Sequence, residues 1–310
     1  MNWHSEEIEE LVRRALAEDV GSGDVSTAAT VSPDAVADAV IFARQTLVCA
    51  GLPLAARVFR ALDPEIGVQC LHNDGSFVEH GAELVRLTGS ARAILTGERT
   101  ALNFLSHLCG VATMTRRFVE QLAGTRTRIR DTRKTTPGLR ALEKYAVKTG
   151  GGANHRFGLY DAILLKENHI ALAGGISEAL AQAHAYASVK SPAPRAASAY
   201  DAAGLDPEIA GPPPLPVQIE VRNERELREA LGAGADAVLL DNMTPEEALR
   251  CVGLARVLRN DCVIEISGGI TLENAREYAE TGADFLSSGA LTHSAPAADV
   301  SLLVDNIVDK

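Results

Sequence analysis

Beyond residue 125 the chain repeats one pattern, and that repetition limits its fold more than any other feature. Short apolar runs each lead to a polar residue: Arg133 in RIRDTRK, Lys166 after AILL, Glu220 in PVQIEV, Asp241 in AVLLDNM, Ser267 in VIEISGG and Ser288 in FLSSGA. Helical stretches separate them. Six such coincidences predict parallel strands alternating with helices, with the reactive residues on the rim formed by the strands' carboxyl ends. Residues 125–289, roughly 165 positions at ~30 per βα unit, hold about five or six units, too few for an eight-unit barrel.

The charge along this repeat is uneven. Residues 126–156 contain nine Lys or Arg and two acids, a local balance of +7 in a chain of formal charge −11. Such a basic pocket in an acidic protein points to a concentrated anionic ligand. RIRDTRK reads as a strand running into a turn, which places Arg133 and Lys134 on the rim. Thr135, Thr136 and Pro137 are expected to open a helix. Leu139, Leu142, Tyr145 and Ala146 form its buried side, leaving Arg140, Glu143, Lys144 and Lys148 on the wetter side, the three cations as solvated charges. Gly150, Gly151 and Gly152 offer the freedom for backbone to approach a ligand. Asn154, His155 and Arg156 follow, with His155 and Arg156 as potentially cationic donors suited to a carboxylate or phosphate. DAILLK then delivers Lys166 to the same end as Arg133, since an unpaired lysine is a costly core residue.

The remaining rim residues are acids and glycine turns. Glu220 and Asp241, each after a strongly apolar run, are either satisfied structural acids or a pair that holds Mg²⁺ waters and sugar hydroxyls. Ser267, Gly268 and Gly269, followed one strand later by Ser288 and Gly289, supply backbone N–H groups and helix starts for a phosphate, and His293 adds a donor.

Before this repeat, the chain reads differently. Residues 5–18 carry an amphipathic helix ended by Gly21 and Gly23. Residues 36–88 alternate short apolar runs with turns, as in an antiparallel sheet covered by a helix at 53–62. Residues 91–124 form one long helical pattern, with Gly110 as its expected weak point and Arg99 read from the residues alone as a surface ion-pair partner. Residues 187–216 make a proline-rich insert, with seven of the chain's thirteen prolines between positions 191 and 216, and no catalytic role is assigned to it. The terminal ADVSLLVDNIVDK is expected to return to the first domain. A pI near 5.3 argues against nucleic acid as the main partner. No apolar run suits a membrane span or signal peptide. Five cysteines without metal spacing read as reduced thiols of a cytoplasmic protein.

The blocks DTRKTTPGLR, KYAVKTGGGANHR and AILLKENHI, long and mostly ungapped, resemble the quinolinate phosphoribosyltransferase (decarboxylating) family, the nicotinate-nucleotide pyrophosphorylases of NAD biosynthesis. EDVGSGDVST and GERTALNFL resemble further family segments. The resemblance implies an incomplete parallel α/β barrel of the type II phosphoribosyltransferases with an N-terminal α+β open sandwich. Its expected boundaries are 1–104, joined by 290–310, and 105–289. It implies that quinolinate and 5-phosphoribosyl-1-pyrophosphate give nicotinate mononucleotide, pyrophosphate and CO₂. Lys134, Lys166, Glu220 and Asp241 would be catalytic. Arg133, His155, Arg156 and Lys166 would clamp carboxylates, with Arg99 reaching across from a neighbouring subunit. Lys134 and Lys166 would neutralise pyrophosphate, and Glu220 and Asp241 would position Mg²⁺ and ribose. The expected assembly is a homodimer, or a hexamer built on it. Two other readings stand beside this one: a sister enzyme acting on another anionic ring acid, and a ligand sensor that keeps a phosphate pocket.

Overall fold

A computed structural model of the chain describes residues 1–189 and 215–308. The proline-rich insert expected at 187–216 lies almost wholly outside the described residues. The chain divides into two compact units, residues 1–114 with 295–310 and residues 115–294. The divisions lie ten and five residues beyond the expected 104 and 289.

The first unit is built on an antiparallel sheet in the order β12-β1-β5-β3: β12 (Val300–Val308), β1 (Val36–Ala43), β5 (Glu83–Ser90) and β3 (Gly67–Cys70). β1 buries Ala37, Ala39, Ile41 and Ala43, every second residue, as a sheet with one covered face requires. The terminal strand pairs with it, Ala39 opposite Val304 and Ala43 opposite Val300, so the chain end does return to this unit. A two-stranded ladder joins β2 (Leu47–Val48) to β4 (Phe77–Val78). Three helices belong here: α1 (Glu6–Val20), α2 (Val25–Thr30) and α3 (Leu52–Leu62). α3 starts where Asp74 accepts the Gly51 and Leu52 N–H groups at 2.9 and 3.1 Å, and it buries Leu54, Ala55, Val58 and Phe59 completely.

The division at Met114 falls inside α4 (Ala91–Gln121), a helix of 31 residues. Gly110 is not a weak point in it. A Cβ there would collide with the Pro296 carbonyl, so the glycine lets the chain returning to β12 cross the helix closely.

The second unit carries six parallel strands in the order β6-β11-β10-β9-β8-β7. They are β6 (Arg128–Arg130), β7 (Ile163–Leu165), β8 (Val217–Val221), β9 (Ala237–Asp241), β10 (Val263–Ser267) and β11 (Phe285–Ser287). No pairing joins β6 to β7 among the described residues, so this is the incomplete α/β barrel that the strand count predicts. β8 is buried at all five positions, as a central parallel strand should be. The connecting helices are α5 (Arg140–Thr149), α6 (Glu167–Ala173), α7 (Ile176–Val189), α8 (Glu224–Gly232), α9 (Pro245–Leu258), α10 (Ala275–Ala279) and α11 (Ala290–His293). α9 begins with Pro245 and a reciprocal cap, in which Thr244 and Glu247 exchange backbone N–H bonds at 3.3 and 2.9 Å.

α5 departs from the reading of its sequence twice. It begins at Arg140 rather than at Thr135, because Gly138 turns the chain at φ +84° and Glu143 accepts the Thr136 N–H at 3.1 Å. Its charged side is only partly wet: Lys148 is exposed as expected, whereas Glu143 is fully buried and Lys144 is 2 % exposed.

Candidate active site

The strand ends of the second unit converge on a cavity of about 620 Å³. Arg133, Lys134, His155, Arg156, Lys166, Asp241, Ser267, Gly268, Gly269, Ser288, Gly289 and His293 all line it. Of the rim residues expected in this unit, Glu220 alone is not in the lining. It is buried on β8 and accepts from the Lys166 Nζ at 2.8 Å, so it reaches the cavity through its partner. Arg99 is exposed on α4 in the first unit and belongs to no lining of this cavity.

The cations are held in different ways. Arg133 is half-buried, and its Nε is buried with no hydrogen-bond partner, a donor left for an incoming acceptor. Arg156 is 9 % exposed and donates to the Ala162 carbonyl at 3.1 Å. Its pKa is pulled down by burial first and then by the neighbouring Arg133 charge. Two guanidiniums that repel each other across a cavity are stabilised by any anion placed between them. Lys134 is exposed, and its side-chain stem packs beside Gly289, where a Cβ would collide with both Lys134 and the His293 ring.

A buried ion pair fixes the segment that carries His155 and Arg156. Lys144 Nζ donates to Asp131 Oδ1 at 2.5 Å and to the His155 carbonyl at 2.9 Å, while the His155 N–H donates to the same Asp131 oxygen at 2.7 Å. Burial pushes the Asp131 carboxyl up to about 6, against the pull of Lys144 and the His155 N–H. Backbone bonds complete the lock: Ala153 N–H donates to the Ile129 carbonyl and Asp131 N–H to the Ala153 carbonyl, at 2.9 and 3.1 Å. Arg140, read as a solvated charge, instead ties Thr135 and the Phe157 carbonyl together at 2.9 and 3.1 Å. Of the three glycines, Gly151 turns the chain at φ +96° and Gly152 serves packing rather than a ligand. A Cβ on Gly152 would strike Thr115 and Val147, and none of the three lines the cavity.

Near neutral pH His155 is not a cation. Burial, the largest cause, pushes its pKa down to about 4, aided by Arg130, Lys144 and Arg156 and opposed by Glu265. Nδ1 accepts the Arg156 N–H at 2.6 Å, so the ring proton resides on Nε2. The cavity floor beneath it is Glu265, which the sequence reading passed over inside VIEIS because strands of that composition look wholly apolar. Burial would raise its carboxyl, but His155, Arg130, Gln218 and Ser287 outweigh burial and hold it down at about 2.

The glycine turns lie as the sequence suggests, with one difference. Gly268 and Gly269 adopt φ +100° and +64°, and a Cβ on Gly268 would collide with Asn242. Asn242, itself at φ +54°, donates its N–H to the Ser267 carbonyl at 2.9 Å and its amide to Asp241 at 2.8 Å. The turns after β9 and β10 are therefore interlocked. α10 starts only at Ala275, so the donors after β10 belong to the turn and not to a helix end.

Of the two acids expected to serve Mg²⁺, Asp241 faces the cavity, whereas Glu220 is engaged by Lys166. No group of three or more His, Cys, Asp or Glu suited to hold a metal occurs among the described residues. This donor set fits an ion that arrives with phosphate ligands of its own, as Mg²⁺ commonly does, and does not fit a dedicated cage. Another hollow, about 510 Å³ between α1 and α3, is lined mainly by apolar side chains, and two of its arginines already pair with Glu9 and Glu10.

Comparison with known proteins shows the family. The family model for the quinolinate phosphoribosyl transferase C-terminal domain matches residues 111–193 and 206–303, and that for the N-terminal domain matches residues 24–109. The chain is 38% identical over 294 residues to a nicotinate-nucleotide pyrophosphorylase (carboxylating) of Mycobacterium leprae, covering 94% of this chain and 95% of that one. It is 34% identical over 312 residues to a quinolinate phosphoribosyltransferase (decarboxylating) of Nicotiana tabacum, covering 96% and 82%. The solved nicotinate-nucleotide pyrophosphorylase of Francisella tularensis superposes with a TM-score of 0.85 at 38% identity, covering 97% and 96%. The chain belongs to the quinolinate phosphoribosyl transferase family.

Proposed function

We infer that the protein is a quinolinate phosphoribosyltransferase of de novo NAD synthesis. It transfers the phosphoribosyl group of 5-phosphoribosyl-1-pyrophosphate to the ring nitrogen of quinolinate and forms nicotinate mononucleotide. The observation that carries this reading is the cavity itself: Arg133, Lys134, Arg156 and Lys166 face one space with Asp241 and two glycine turns. A substrate with two carboxylates and a co-substrate with a phosphate and a pyrophosphate need that density of positive charge.

The residues then divide the work. Arg133 and Arg156, forked and mutually repelling, hold the ring carboxylates, and the neutral His155 Nε2–H adds a donor without adding charge. Lys134 and Lys166 take the pyrophosphate as point charges. Asp241 serves the ribose hydroxyls and the Mg²⁺ that the pyrophosphate brings, an ion that neutralises phosphate charge when bound. The N–H groups around Gly268, Gly269 and Gly289 take the 5-phosphate. The C1–oxygen bond to pyrophosphate breaks as the C1–nitrogen bond forms, and Glu220 and Asp241 stabilise the positive charge that builds on the sugar. The ring nitrogen becomes cationic, which stabilises the carbon left when CO₂ departs, and a proton then takes that position. Positioning and charge carry the reaction, and no covalent nucleophile is required. In solution the protein works as a homodimer or a larger assembly in which Arg99 completes a neighbour's site.

Purified protein with Mg²⁺, phosphoribosyl pyrophosphate and quinolinate should yield nicotinate mononucleotide, while nicotinate in place of quinolinate should yield none. Arg133→Ala should lower kcat/KM for quinolinate by on the order of a hundredfold or more, the effect of removing one well-placed charged donor, with an unchanged melting temperature. Turnover of nicotinate at a comparable rate would refute the reading.

A further inference from the structure

We infer that Glu265 is a positioning residue of the reaction, a buried carboxylate that fixes which nitrogen of the His155 ring carries its proton and which way that N–H faces. This rests on the quinolinate reading above, in which His155 meets the ring acid.

Glu265 sits on β10 in the centre of the parallel sheet, is completely buried, and still forms part of the cavity floor. A carboxylate in that position is expensive unless every oxygen is used. Both are. Oε2 accepts Arg130 from β6 at 2.7 Å and Gln218 from β8 at 2.9 Å. Oε1 accepts the Ser287 hydroxyl from β11 and faces His155 Nε2 at 3.6 Å. Arg130 is itself committed, lying 3.8 Å over the Phe285 ring.

A barrel layer could in principle be filled by an Arg–Glu pair alone, and Arg130 would satisfy that role. The Oε1 side is what a counter-ion does not need. Across that oxygen lies an imidazole whose other nitrogen is already used as an acceptor by the Arg156 N–H. With Nδ1 occupied and a fully ionised carboxylate opposite Nε2, the ring has one neutral form and one orientation available. The 3.6 Å separation is longer than a hydrogen bond. The same N–H can therefore be shared with a ligand oxygen above the floor. The charged groups around the ring are Glu265 from β10, Arg130 from β6, Lys144 from α5 and the adjoining Arg156, while Asp131, just after β6, holds the His155 backbone N–H. Glu265 is the member of that set that can accept at Nε2.

Glu265→Gln keeps the size, removes the charge and places an NH₂ against either the His155 Nε2–H or the Arg130 guanidinium, a donor against a donor in both cases. Its KM for quinolinate should rise on the order of tenfold, with the KM for phosphoribosyl pyrophosphate unchanged. The Glu265→Gln/His155→Gln double variant should be no worse than His155→Gln alone. An unchanged quinolinate KM, or fully additive losses in the double variant, would overturn the proposal. Wild-type protein is run in the same assay: silence there defeats the functional reading, whereas normal wild-type turnover with a normal variant KM defeats the role of Glu265 alone. Should Glu265→Gln fail to fold, nitrogen-15 NMR of the wild-type histidines decides. His155 should be neutral and protonated on Nε2 near pH 7, and a proton on Nδ1, or an imidazolium, would overturn the proposal.

Discussion

His155 shows how burial decides what a single residue can do. The folded chain holds it at about 4 against an ordinary 6.5, so between those values the unfolded chain binds a proton that the folded chain refuses. Stability contributed by neutral His155 is therefore complete above about pH 6.5 and lost as pH falls toward 4. His155→Gln should remove that component, making the fall in unfolding free energy between pH 7 and pH 5 smaller by on the order of 2 kcal/mol, read by urea denaturation at the two pH values. Asp131 acts in the opposite sense: raised to about 6 from 3.8, it binds its proton first in the folded state and withholds stability as pH rises through 6. Lys144→Met leaves that carboxylate buried beside His155 with its lysine gone. The variant should lose roughly 3–5 kcal/mol, more at pH 8 than at pH 5, and an equal loss at both would contradict the assignment of charge. Arg133, Lys134 and Lys166 are legible in the sequence because polar residues recur where strands end, and Arg156 because it follows the glycine run beside His155. Glu265 and Lys144 are not: periodicity places a side chain on an element, and only the fold shows that Arg130, Gln218 and Ser287 surround one and Asp131 meets the other.

At the level of elements, composition foretold the strands and the long helix better than the turns that position the site. β8 and β9 read as buried parallel strands because they are short, apolar and rich in Val, Ile and Leu. The start of α5 was misplaced since Thr135, Thr136 and Pro137 look like a helix opening, whereas Glu143 and Arg140 bind that segment as a loop. Gly110 misled for a similar reason, its purpose being a contact distant in sequence. A helix-interior Gly→Ala exchange ordinarily stabilises by about 1 kcal/mol. Here Gly110→Ala should instead destabilise by roughly 1–3 kcal/mol, because the new methyl meets the Pro296 carbonyl. A raised melting temperature in the variant would show that the crossing is looser than described.

Across the whole molecule, the contrast between a net charge of −11 and a strongly basic cavity focuses anions on one place. Arg99, exposed in the first unit, tests whether that cavity is shared between subunits. Arg99→Ala and Arg133→Ala proteins should each be inactive, and mixing them should restore roughly a quarter of wild-type activity, as random two-fold pairing gives one intact site in half the dimers. No helix among the described residues is long and apolar enough to cross a membrane. The most direct measurement of the central claim follows the substrate carboxylate itself. Quinolinate labelled in the carboxyl group next to the ring nitrogen should release one labelled CO₂ for each pyrophosphate and each nicotinate mononucleotide formed. Pyrophosphate release with the label retained in a dicarboxylate nucleotide, or with no nucleotide at all, would contradict the account.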